Sequence, residues 1–123
     1  MEELKFAMHK DNSESIAEII SDDIVIKDAQ DGLDLLGNLY YQGIDRIIIS
    51  EKNIGSGFFD LSTGIAGEIL QKFSNYRVKL AIIGDFDKYS GKSLHSFITE
   101  SNRYGQINFV NTISEALAKL CNP

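Results

Sequence analysis

An α/β fold is predicted for this chain: a single mixed, mostly parallel sheet with an N-terminal β-hairpin and four helices. Three observations carry that prediction. The stretches Arg46–Ser50 (RIIIS) and Lys79–Gly84 (KLAIIG) are apolar runs without polar alternation, as expected of strands covered on both faces. Between and after them, apolar residues recur at helical spacing. The first residues alternate instead with a period of two, which marks a half-buried strand.

In chain order, Leu4, Phe6 and Met8 alternate with Lys5, Ala7 and His9. Lys10-Asp11-Asn12-Ser13 has the composition of a turn. Ser15 to Ile20 reads as a second strand that closes a hairpin at the sheet edge, with a short helix as the alternative. Asp22-Asp23 interrupts it, and Ile24-Val25-Ile26 is a short apolar link. Asp28 can cap the first helix, with Asp31 and Asp34 near its positive end. Ala29, Leu33, Leu36 and Tyr40 set its apolar face, widened by Leu35 and Leu39, and Gly43 stops it. Gly32 and Gly37 each weaken that helix by about 1 kcal/mol against Ala, which implies close packing at both.

Glu51 to Gly57 (EKNIGSG) reads as a loop, with Gly55-Ser56-Gly57 a flexible turn. The central helix follows, with Ile65, Ile69 and Phe73 on one face beside Ala66 and Leu70. Ser62 is expected to cap it, leaving Ser62 and Thr63 at a solvent-facing, positive helix end. After KLAIIG, Asp85 to Gly91 is a polar loop and Ser93 to Tyr104 a helix through Leu94, Phe97, Ile98 and Ser101. Ile107–Val110 is a third inner strand. Thr112-Ile113-Ser114-Glu115 has the form of a capping box, and Ile113, Ala116, Leu117 and Leu120 face the core of the last helix. Strands alternating with helices imply parallel pairing through crossovers of one hand.

The 123 residues fit one domain spanning the chain, and 43% hydrophobic content suffices for a core. A formal charge of −6 without a basic cluster argues against a nucleic-acid surface. No apolar run approaches membrane-spanning length, and MEELKFAMHK lacks the apolar centre of a secretion signal, so a cytoplasmic protein is expected. Cys121 is the only cysteine and can form no internal disulfide.

Ligand sites in open α/β sheets gather beyond the carboxyl ends of the strands. Those ends carry Ser50 and Glu51, Asp85 and Asp87, and Asn111 and Thr112, with Ser62 and Thr63 expected on the same acidic rim. Asp60, Asp85 and Asp87 are the carboxylates a hard cation would need, but acids in such loops are mostly solvated or cap backbone, so no metal or other cofactor is expected. Gly91-Lys92-Ser93 fails as a phosphate loop because the required earlier glycine is Phe86. Ser62 or Ser90, His95 and Asp85 lack the strand–turn–helix G-x-S-x-G setting of a hydrolase serine. No catalytic residue is assigned. The candidate switch residues are Ser62 and Thr63, and the candidate binding residues are Asp60, Gly64, Glu51, Asp85 and Asp87.

From Ile47 to Leu120 the plan resembles the STAS domain of bacterial anti-sigma factor antagonists and sulfate-transporter tails. The segment Asp60-Leu61-Ser62-Thr63-Gly64-Ile65 is similar to that family's Asp-Ser-Ser-Gly-Leu segment, with one extra residue between the acid and the hydroxyl pair. KLAIIGDF and FVNTISEAL are similar to its closing half. In such antagonists a serine of the segment is phosphorylated by a partner kinase, which implies that role for Ser62 or Thr63, with Asp60 shaping the pocket. The link from Glu51 to Phe59 is longer and richer in glycine than a typical STAS link, as for a mobile lid or partner loop. Over nearly its whole length the chain resembles more closely a bacterial domain of unknown function, DUF4180, through FFDLSTGIAGEILQKF, KLAIIGDF and INFVNTISEALAKL. That resemblance carries no activity. A small non-catalytic regulatory or protein-binding module is therefore expected, switched at the start of the central helix. The alternative is a small-ligand or enzyme module using the acidic rim. An unidentified protein partner is expected, and self-pairing of the edge strand into a homodimer is a third reading.

Overall fold

The computed structural model describes residues 4–11 and 14–121. The expected order of elements is present. Strands β1 (Phe6–Asp11) and β2 (Glu14–Ile19) precede helix α1 (Ala29–Tyr40) and strand β3 (Arg46–Ser50). Helix α2 (Ile65–Asn75), β4 (Lys79–Ile83), α3 (Lys92–Tyr104), β5 (Ile107–Val110) and α4 (Ile113–Cys121) complete the chain. Asn12 and Ser13 of the expected turn, Met1–Glu3 of the segment read for a leader, and Pro123 lie outside the described residues.

The sheet has the order β1-β2-β3-β4-β5. β1 is antiparallel to β2, from Phe6 opposite Ile19 to Asp11 opposite Glu14, and β2 to β5 are parallel. Because strand order never reverses, crossovers of one hand place α1, α2 and α3 on the same face. There Leu35, Leu36 and Leu39, then Ala66, Ile69 and Phe73, then Leu94 share a core with Ala17, Ile47, Ile49, Leu80, Ile82, Ile107 and Phe109. α4 alone covers the other face, with Ala116 and Leu120 against Ile16, Ile48, Ala81 and Val110. The inner strands are apolar on both sides because both sides are covered, whereas β5, expected as a third inner strand, lies at the sheet edge. Two residues expected on apolar helix faces are exposed, Tyr40 at 47% in the last turn of α1 and Ile113 at 38% in the first turn of α4.

Asp28 caps α1 by accepting from the Asp31 N–H at 2.9 Å. Gly43 adopts φ +79°, its N–H donates to Tyr40 and that of Ile44 to Leu39, which closes α1 in a Schellman turn. Gly32 lies against α2, where an added Cβ would sit 2.7 Å from Ile69 Cδ1. Gly37 does not share that role, since nothing lies within 4 Å of its missing Cβ. α2 ends on Arg77 in the same left-handed conformation (φ 58°) that Gly43 and Gly105 provide elsewhere.

The segment after β3 departs furthest from expectation. It forms three short 3-10 turns, Glu51–Asn53, Ser56–Phe59 and Leu61–Thr63, that bury Asn53, Ile54, Phe58 and Phe59. The Asn53 carbonyl accepts from Val25 and Ile26, its side-chain amide donates to the carbonyls of Ser21 and Asp23 at 2.8 Å each, and the Gly55 N–H donates to Ile26 at 2.7 Å. Gly55 and Gly57 therefore belong to a segment zipped to the β2–α1 link, not to a flexible turn or free lid. The apolar pairs Phe58-Phe59 and Ile54-Ile26 anchor it, and the parallel bridge between Ile26 and Ile54 continues the sheet pattern. No helix among the described residues is long and apolar enough to cross a membrane.

Candidate functional site

The carboxyl ends of β3 and β4 bring Glu51 over Gly84. A Cβ on Gly84 would fall 2.7 Å from Glu51 Cβ and still closer to its carboxylate, so only glycine leaves this seat open. Seated there, Glu51 accepts from the Tyr89 hydroxyl at 2.5 Å and the Asp85 N–H at 3.3 Å, and pairs with Lys88 Nζ at 2.7 Å. Its side chain is 12% exposed and that of Lys88 56%. Tyr89 stacks on Phe59, with centroids 4.9 Å apart and planes 18° from parallel. His95 Nε2–H donates to the Tyr89 carbonyl from the first turn of α3, fixing the loop beneath the ring. The expected polar loop thus has an apolar anchor: Phe86 is 8% exposed and meets Phe109 edge-on at 5.2 Å.

Burial pushes the Glu51 carboxyl up, but Lys88, the Tyr89 hydroxyl and the Asp85 N–H together outweigh it and hold the group below its ordinary value of 4.5. For Tyr89, burial and then the Glu51 hydrogen bond and charge push the phenol well above its ordinary range. The signs follow from linkage. A lowered carboxyl stabilises the fold fully above its unfolded value, and the contribution is lost as pH falls through the lowered folded value. A raised phenol contributes below its ordinary value of 10, and that contribution is lost as pH rises. Glu51→Gln is therefore expected to flatten the acid limb of stability below about pH 4.5. Urea midpoints of both proteins across that range check this; parallel limbs would dissociate Glu51 from the effect.

A hollow of about 350 Å³ opens beside this cluster, lined by Ile54, Phe59, Ile83, Gly84, Tyr89 and the charged groups above. Asp85 joins Glu51 only through its N–H, and its carboxylate accepts from the Asp87 N–H at 3.2 Å. Asp60, Ser62, Thr63 and Gly64 do not line the hollow. The described residues contain no group of three or more His, Cys, Asp or Glu that could hold a metal ion.

Asp60, Ser62, Thr63 and Gly64 form a second, exposed group one residue beyond Phe59. Here the capping is rearranged. Asp60 caps the 3-10 turn Leu61–Thr63, accepting from the Ser62 N–H at 3.1 Å and the Ser62 hydroxyl at 2.6 Å. Those two hydrogen bonds hold its carboxyl below the usual range. Gly64, at φ 78°, is the N-cap of α2, and Ser62 is not. Thr63 is the residue that serves the helix start: its Oγ1 accepts from the Ile65 N–H at 3.2 Å and lies 2.7 and 2.9 Å from the carbonyls of Gly57 and Asp60. Leu61 opens the 3-10 turn Leu61–Thr63 ahead of α2, and within that turn the serine points back onto Asp60.

Sequence reasoning placed Glu51, Asp85 and Asp87 at one rim but missed Gly84, Lys88 and Tyr89 as the groups that hold Glu51. A glycine directly after a buried strand was the available signal for close approach. The family model described as domain of unknown function (DUF4180) matches residues 11–120. No curated protein and no solved structure matches the chain.

Proposed function

The chain belongs to the DUF4180 family, and from that premise we propose a small non-catalytic regulatory module of the bacterial cytoplasm that binds a protein partner and is switched by phosphorylation of Ser62. The observation that carries this is the Ser62 hydroxyl, solvent-exposed and donating to the lone carboxylate of Asp60. A phosphate there would replace a donor with about two negative charges facing an anion. The Asp60 cap would break and the turn ahead of α2 would change shape. Thr63 is the poorer acceptor of a phosphate, because its hydroxyl already ties two segments together. The likeness of Asp60–Ile65 to the phosphorylated segment of anti-sigma factor antagonists points the same way.

Two features weigh against an enzyme on the acidic rim. The parallel strands run in sequential order, so the sheet has no switch point to open a crevice at its carboxyl end. Glu51 is charge-paired with Lys88 and accepts a hydrogen bond from Tyr89, so its carboxylate is already engaged. The 350 Å³ hollow favours the ligand reading, and a thermal-shift screen with magnesium and phosphorylated metabolites tests it.

Ser62→Ala is expected to change stability by no more than about 0.5 kcal/mol. Thr63→Val should cost about 1 kcal/mol by removing the hydroxyl that accepts from the Ile65 N–H and ties it to the Gly57 and Asp60 carbonyls. Urea denaturation separates them. Phosphosite mapping of the protein from its native cells, with partner capture by wild type, Ser62→Ala and Ser62→Asp, tests the switch. Phosphate on Ser62 and a partner set altered by Ser62→Asp support it. An unmodified Ser62 with identical partners for all three proteins overturns it.

A further inference from the structure

Three donors meet the Glu51 carboxylate, and two of them are fixed by the fold. The Tyr89 hydroxyl reaches Oε2 from a ring stacked on Phe59, and Asp85 reaches Oε1 through its backbone N–H. The third is the end of a flexible side chain. Lys88 Nζ lies 2.7 Å from Oε2 and 5.5 Å from the centre of the Tyr89 ring, within cation–π range. Its side chain is 56% exposed and that of Glu51 12%, so the anion is the enclosed member of the pair. Such a pair holds its exposed partner weakly. The carboxylate itself is closely seated, since a Cβ on Gly84 would fall 2.4 Å from Oε1. It also stays ionised at neutral pH, because its donors hold it below the ordinary carboxyl value. The hollow of about 350 Å³ beside it is of small-molecule size, with Ile54, Phe59 and Ile83 as apolar wall.

We propose that this hollow binds a small primary amine, whose ammonium displaces that of Lys88 from Glu51 and the Tyr89 ring while its alkyl part lies against Ile54, Phe59 and Ile83. Each part of that chemistry follows from a part of the site. The enclosed charge is a carboxylate, so the group that goes in is a cation; an anion drawn by the exposed Lys52 and Lys88 would meet Glu51. The seat now holds an N–H donor at hydrogen-bond distance, which a quaternary ammonium lacks. The apolar wall takes hydrocarbon and not a second charge. Lys88 is then a built-in competitor, and the apparent affinity is reduced by the fraction of molecules in which it occupies the seat. The site is separate from the Ser62 switch, whose residues do not line the hollow.

The test titrates the full chain with n-butylammonium chloride at neutral pH and constant ionic strength, read by amide NMR. Saturable shifts are expected at Gly84, Asp85 and Tyr89 of the wild type. n-Butanol and tetramethylammonium chloride, which lack the charge or the N–H donor, are expected to bind at least about tenfold more weakly. Glu51→Gln is expected to weaken butylammonium binding by a similar factor. Lys88→Met removes the competitor and is expected to tighten it about fivefold. Lysine blocked at both ends stands for the side chain of another protein and is expected to bind no better than butylammonium. A wild type without saturable shifts at these residues overturns the proposal. So does binding by Lys88→Met alone, which would make Lys88 and Glu51 a structural ion pair only, and so does a Lys88→Met protein that binds no tighter than wild type. Equal binding of n-butanol or tetramethylammonium, or tighter binding of the blocked lysine, overturns the assignment to a small primary amine.

Discussion

Asn53→Asp is expected to lower stability by about 3–5 kcal/mol, although it changes one atom's identity and no volume. Asn53 is 1% exposed and its Nδ2 donates to the carbonyls of Ser21 and Asp23. Its Oδ1 is buried without a partner. A carboxylate in that seat would face two carbonyl oxygens with no donor to offer, in a place that water does not reach. The backbone of Asn53 would still accept from Val25 and Ile26, so the loss isolates the side chain. The signature is in pH. Protonating the new acid restores a neutral group, so the deficit should shrink as pH falls toward the carboxyl range and below it. Urea denaturation at neutral and acidic pH measures this. A deficit under about 1 kcal/mol, or one that does not respond to pH, would show that the zipped links carry little of the fold's stability.

The second large effect separates two glycines of one helix. Gly32→Val should destabilise by about 3 kcal/mol and Gly32→Ala by about 1–2 kcal/mol. Helix propensity favours Ala at that position by about 1 kcal/mol. The opposing term wins because the added Cβ would meet Ile69 Cδ1 at 2.7 Å and Cγ1 at 2.8 Å. Ile69 is fully buried, so it can yield only by displacing the core side chains packed around it. Gly37→Ala faces open space and should stabilise by up to about 1 kcal/mol. Thermal or urea midpoints of the variants give the signs directly. A stabilising Gly32→Ala would mean that the α1–α2 contact is looser than these distances.

Much of the architecture could be read before any coordinates. Ile47–Ile49 and Leu80–Ile82 announced buried parallel strands because a strand covered on both faces leaves no room for polar alternation. Asp28, Gly43 and Thr112 announced helix ends because the unpaired groups there demand the same few residue types wherever they occur. Ile113 and Tyr40 were misjudged for a common reason. Periodicity identifies a stripe of a helix, but only the neighbouring element decides how wide a stripe it covers. The candidate site was legible in part. Glu51, Asp85 and Asp87 do end strands at one rim, yet their partners Lys88 and Tyr89 come from a loop whose path depends on Phe86 reaching Phe109.

By itself, then, the sequence determined the elements, their order and the covered face of most of them. These follow from interactions between residues a few positions apart, and short-range spacing encodes them. Tertiary structure decided that Glu51–Thr63 is a folded segment zipped to the β2–α1 link, that Asp60 and not the helix holds Ser62, and that Lys88 and Tyr89 hold Glu51 over Gly84. Each of those outcomes rests on a hydrogen bond or a ring contact that forms only once the chain has brought its partners together.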